Sequence, residues 1–233
     1  MSDQTAPAEP DVDVAVNLAA VKARIAAAAK AVGRAADDVT LVAVGKVHGA
    51  ERMLAALEAG HRVFGENRIK EAETKWPPLQ AAFPGVALHL VGPLQTNKVR
   101  QAVALFDVIQ TVDRTKLARA LADEMARAGR QLPCFIQVNT GEEPQKSGVM
   151  PAAADALISQ CIDELALPVV GLMCLPPIDD EASLHFSLLA DVARRHGLDR
   201  LSMGMTADYE IAVAFGATHV RLGTAVFGAR PRP

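Results

Sequence analysis

The sequence is poor in aromatic residues, which make up 4% of its 233 positions, with one tryptophan and one tyrosine. A surface that stacks nucleic-acid bases needs such side chains in number, so that class of binding is excluded. A basic excess is missing as well: 24 Lys and Arg face 27 Asp and Glu, a formal net charge of −3. Binding to a phosphate backbone draws on a clear positive excess, so no nucleic-acid partner is expected. Cysteine is confined to Cys134, Cys161 and Cys174, widely spaced in apolar segments, with no CxxC pair and no Cys/His cluster at metal-ligand spacing. Buried free thiols in a reducing compartment are the reading that fits. His48, His61, His89, His185, His196 and His219 are scattered and form no HExxH, so no metal is expected. A GxSxG elbow, a dinucleotide GxGxxG and a P-loop are all absent.

Long hydrophobic runs are missing too. No stretch approaches the roughly 18 apolar residues that a membrane span requires. The start, MSDQTAPAEPDVDVAV, has acidic residues and prolines where a signal peptide has a basic region and an apolar stretch. The expectation is a cytoplasmic protein with a disordered acidic leader over residues 1–12 and one domain over 13–233.

What is present is a rhythm. Hydrophobic residues make up half of the chain, enough for one large core. An alanine-rich segment, VNLAAVKARIAAAAKAVGR, places apolar residues at helical spacing and meets a stop at Gly33. Eight short apolar runs follow: VTLVAVG, HRVFGE, VALHLVG, DVIQTV, LPCFIQVN, LPVVGLMCL, DRLSMGM and THVRLGT. Segments such as GAERMLAALEAG and RTKLARALADEMARAG lie between them and read as amphipathic helices. Near-continuous apolar strands alternating with helices imply parallel pairing with both faces covered. Eight such units predict a single (β/α)8 TIM barrel with an additional N-terminal helix. An open doubly wound sheet is the competing architecture.

A barrel of this kind carries its chemistry where the strands end. Lys46 closes the first strand, in LVAVGK. A partly desolvated lysine supplies the neutral amine that attacks an aldehyde; the alternative is an ordinary rim lysine paired with a carboxylate such as Glu66. At the eighth strand, VRLGTAVFG runs through Gly223 and Thr224 into a short helix, which suits a phosphate. At the seventh, SMGMTADYE holds Ser202, Met203 and Thr206 before the next helix. Both threonines are also candidate helix caps. Arg221 shares a strand face with Gly223, and a buried arginine needs an acceptor, from a ligand or from a carboxylate. LHLVGPLQTNK turns at Gly-Pro into a polar pair before Lys98, and NTGEEPQKSG, with Lys146, has some phosphate-loop character; both also read as solvated loops.

Taken in order, LVAVGK, FGEN, LHLVGPLQTNK, GLMCLPP and LSMGMTADYEIAVAFGATHVRLGTAVFGAR resemble the pyridoxal phosphate homeostasis protein family, from about residue 14 to residue 230. The family is similar in fold to the barrel domain of alanine racemase, the fold type III class of pyridoxal 5′-phosphate (PLP) proteins. It lacks the second β-domain of the racemases, and the chain stops just after its eighth βα unit. The resemblance implies that Lys46 holds PLP as a Schiff base and that Arg221 faces the pyridine nitrogen. It places Gly223 and Thr224, with the Ser202–Thr206 turn, at the phosphate, Asn67 near the ring and Met203 beside the cofactor. Gly45, Val47, His48 and Gly49 depart from the serine, threonine, lysine and proline usual around the lysine, and Leu88 replaces an aromatic residue. The implied function is PLP binding and buffering in vitamin B6 and amino-acid homeostasis, by a monomer that hands PLP to apo PLP-dependent enzymes. The alternative is an amino-acid racemase, which needs an acid or base on each face of its substrate. The chain's one tyrosine, Tyr209, is not placed to be the second.

Overall fold

A computed structural model describes residues 12–229. The expected leader lies outside the described residues except for Val12, which packs against the core. Helix α1 (Val14–Ala31) comes first, and Gly33 follows its end with φ of +74°. Eight strands then close in sequence order: β1 (Thr40–Val44), β2 (Val63–Glu66), β3 (Ala87–Leu90), β4 (Val108–Val112), β5 (Cys134–Val138), β6 (Val169–Cys174), β7 (Arg200–Ser202) and β8 (His219–Leu222). Every neighbouring pair is parallel, and β8 returns to β1 with Val42 opposite Arg221 and Ala43 opposite Leu222. The predicted (β/α)8 barrel with an added N-terminal helix is the fold observed.

The crossovers are α2 (Ala50–Glu58), α3 (Ile69–Ala82), α4 (Val99–Leu105), α5 (Thr115–Ala128), α6 (Pro151–Ser159), α7 (Ala182–Arg195) and α8 (Tyr209–Ala214), with α9 (Thr224–Phe227) after the last strand. Helix α6 does not end at Ser159: it continues as a wider π-type turn that buries Cys161. Helix α4 is absent from the sequence reading, because seven residues give too few turns for a clear helical period.

Alternation divides the strand residues between two environments. Leu41, Ala43, Phe64, Leu88, Leu90, Ile136, Leu172, Leu201, Val220 and Leu222 face outward and join the helices in the main core. Trp76 of α3 is fully buried there, its ring 4.7 Å from that of Phe64; burial of so large an apolar side chain contributes about 1.5–3 kcal/mol. Val42, Val44 and Val91 form a separate inner cluster. The barrel interior also holds His89, Gln110, Ser202, His219 and Arg221, buried polar side chains that position the site.

Candidate functional site

The inward face of β1 runs Val42, Val44 and then Lys46, which lies in the turn after the strand and is half-buried. Because β8 is the neighbour of β1, Gly223 stands beside this turn. A Cβ placed on Gly223 would lie 3.2 Å from the Val44 carbonyl oxygen and 4.0 Å from Lys46 Cε. The φ of Gly223 is −106°, which any residue adopts. Glycine is needed here for space, so that the backbone at the start of α9 stays open beside the lysine. The first N–H groups of any helix have no acceptor within it.

Arg221 lies deeper on the same face and is 5% exposed. Its Nη1 donates to Ser202 Oγ at 2.7 Å and its Nη2 to the Cys174 carbonyl at 2.7 Å. These acceptors are a hydroxyl and a carbonyl, so the carboxylate-paired alternative does not describe it. Burial pushes the guanidinium down to about 10, which leaves it charged at neutral pH. The network crosses the barrel: Ser202 Oγ donates to Gln110 Oε1 at 2.6 Å, and Gln110 Nε2 meets His89 Nδ1 at 2.8 Å. Burial holds His89 down to about 3 and His219 to about 4, so both rings are neutral and Arg221 is the cation of this cluster.

The sequence missed Gln110 and His89. The available signal was a polar residue interrupting an apolar strand at an inward position, in VIQTV and in LHL.

The remaining candidates separate. Ser202 is fully buried, and its hydroxyl is directed at Arg221 and Gln110 inside the barrel. Met203 has 0% exposure and shares the outward core with Leu201, away from the barrel interior. Thr206 is exposed in the turn before α8, whose cap position is Asp208; the Asp208 carboxylate accepts from Met205 N at 2.6 Å. Thr224 is the first residue of α9, and Gly223 occupies the cap position. The two threonines are therefore not the caps. Asn67, half-buried, and Lys98 line one cleft of about 590 Å3, together with Arg68, Lys70 and Gln95. Lys146 instead pairs with Glu143 of its own loop at 2.5 Å, while Asn139 Nδ2 donates to the Glu143 carbonyl at 2.8 Å. Lys146 also donates to the Pro176 carbonyl after β6 at 3.4 Å, so its amine is held by neighbouring loops.

Glu66, the carboxylate offered as a partner for Lys46, is engaged elsewhere. Its Oε1 accepts from Lys75 Nζ at 2.8 Å and from Trp76 Nε1 at 3.0 Å. Burial raises its carboxyl above the usual range, against the opposing pull of Lys75.

An amine beside a cradle that a side chain would fill, with a buried guanidinium beneath, is a donor set that fits PLP. The alanine racemase N-terminal domain family matches residues 16–231. The pyridoxal phosphate homeostasis protein of Escherichia coli (strain K12) is 38% identical over 227 residues, covering 94% of this chain and 97% of that protein. The chain belongs to the pyridoxal phosphate homeostasis protein family. Among solved structures, PipY of Synechococcus elongatus PCC7942 with PLP bound is similar at a TM-score of 0.80 and 34% identity, covering 92% of this chain and all of that one. Alanine racemase of Clostridium difficile 630 shares the fold at a TM-score of 0.70 and 14% identity, covering 94% of this chain and 57% of the racemase.

Proposed function

We propose that this chain binds PLP in the mouth of the barrel, with Lys46 Nζ as the amine that bonds its aldehyde, and acts in PLP and amino-acid homeostasis. The observation that carries the reading is the approach of Lys46 to Gly223 above the buried Arg221. When bound, PLP supplies an aldehyde that captures amines and a ring that withdraws electrons. Gly223 and Thr224 would hold its phosphate through the backbone at the start of α9, with Thr206 contributing from the turn after β7. Asn67, just beyond the end of β2, would approach the ring. Ser202 acts by holding Arg221, and Met203 supports the turn from the outer core. A guanidinium keeps its own proton, so Arg221 would donate to a pyridine nitrogen rather than protonate it, and the ring would withdraw electrons weakly. That favours storage over turnover.

Tyr209 supports the same choice. It is 2% exposed on the outer side of the barrel, and the Arg24 guanidinium lies 5.4 Å from its ring centroid. It supplies no second base for racemisation.

The reading extends to a monomeric, cytoplasmic protein that passes PLP to apo-enzymes. Among the described residues, no helix is long and apolar enough to cross a membrane.

The test is an absorbance titration with PLP, followed by borohydride reduction and mass mapping. The label is expected on Lys46 and is lost in Lys46→Ala; label on the variant at the wild-type level sinks the assignment. Incubation with L-alanine and chiral analysis decides the alternative. D-alanine formed in proportion to protein, and abolished by Lys46→Ala, establishes the racemase.

A further inference from the structure

We propose that Glu66 and Lys75 are positioning residues for Lys46 and act through the Gly45 carbonyl. The inference rests on the reading of Lys46 as the amine that bonds PLP. Lys75 projects from α3 and its Nζ has two acceptors: Glu66 Oε1 at 2.8 Å and the carbonyl oxygen of Gly45 at 3.2 Å. Trp76, the next residue of α3, donates to the same carboxylate oxygen at 3.0 Å. The Glu66 side chain is completely buried and that of Lys75 is 9% exposed. On its other side Gly45 N donates to the Gly65 carbonyl at 2.9 Å.

The residue before Lys46 is therefore pinned twice, by the β2 backbone and by an ion pair from α3. A peptide unit is planar, so fixing the Gly45 carbonyl fixes the plane from which Lys46 departs. That plane places Lys46 N and Cα, the root from which the stem extends toward Gly223.

One contact and the general energetics of buried ion pairs support an ion pair directed at the backbone. A Cβ on Gly45 would overlap Met53 Sδ and come within 3.1 Å of Glu66 Oε1, so glycine is what lets the pair sit against the strand end. A buried ion pair also adds little stability over an apolar pair of the same shape, because desolvation offsets the attraction. Its distinctive contribution here is a charged donor held at one carbonyl.

The experiment compares the full-length protein with Glu66→Gln/Lys75→Met, which removes both charges while residue 66 keeps an acceptor for Trp76, and with Lys75→Arg. Thermal melting without PLP reports folding. A PLP titration well below the melting temperature reports affinity, and borohydride reduction with mass mapping reports occupancy of Lys46. The double variant is expected to melt close to the wild type yet bind PLP about tenfold more weakly, with less Lys46 label at matched PLP. Lys75→Arg, which retains a charged donor, is expected to lie between the two. A folded double variant with affinity within about twofold of wild type overturns the proposal. Should the double variant fail to fold, Glu66→Gln alone decides, and an unchanged affinity there overturns it equally. Wild-type protein without label on Lys46 overturns the PLP reading itself, which is a separate result.

Discussion

Arg221 on β8 donates through Nη1 to Ser202 Oγ on the neighbouring strand β7 at 2.7 Å, and that hydroxyl donates in turn across the barrel interior to Gln110 Oε1 on β4 at 2.6 Å. A hydroxyl with both roles taken is a fixed point. It sets where the guanidinium stands beneath Lys46. Ser202→Ala deprives Arg221 Nη1 and Gln110 Oε1 of a partner in a buried setting. The expected loss is about 1–3 kcal/mol of stability, measured by urea denaturation, together with weaker PLP binding. A variant as stable as wild type shows that the network is not closed in this way.

Gly223 gives a cleaner separation of binding from folding. Its backbone conformation suits any residue, and the nearest obstacle to a Cβ is the Val44 carbonyl oxygen at 3.2 Å. Gly223→Val is expected to remain folded, with a modest fall in melting temperature, and to lose PLP affinity by at least about tenfold as the side chain fills the space beside Lys46. Wild-type affinity in a folded Gly223→Val protein removes the phosphate from this turn.

The barrel was legible because its signals are local: eight apolar runs, each bounded by a turn and separated from the next by helical periodicity. The neighbourhood of Lys46 and Gly223 was legible too, since closing a barrel brings the first strand to the last. The partner of Glu66 was not. Glu66 faces outward at the end of β2, and its pairing with Lys75 depends on how α3 docks, which spacing in sequence does not encode. The run SMGMT groups Ser202 with the turn that follows it, yet alternation from Leu201 puts it on the inner face. Met203 illustrates the same rule in reverse, one residue further and on the outer face.

The spacing of the three cysteines in apolar segments predicts buried free thiols, and all three are free and buried. Burial pushes Cys134 and Cys174 up to about 12 and Cys161 to about 11, so almost no thiolate exists near neutrality. Native protein at pH 7.5 is expected to resist a thiol-specific reagent, and all three positions are expected to react in urea. Rapid labelling of any one in the folded state contradicts the packing around it.

The buried histidines set the acid limit of the fold. His61, His89 and His219 are held down by desolvation, to about 4, 3 and 4 respectively, against 6.5 when exposed. Between those values the unfolded chain binds protons that the folded chain does not. Stability therefore rises with pH across this window and falls as pH drops from about 6.5 toward 4, with each histidine contributing up to about 1.4 kcal/mol per pH unit. Above pH 6.5 these three residues contribute no slope. Urea denaturation across this range is expected to show the fall, and His89→Gln to make it shallower by about one histidine's share. A wild-type curve that stays flat between pH 5 and pH 6.5 would show that these rings take up protons in the native state, and that the inner network beneath Arg221 opens to water.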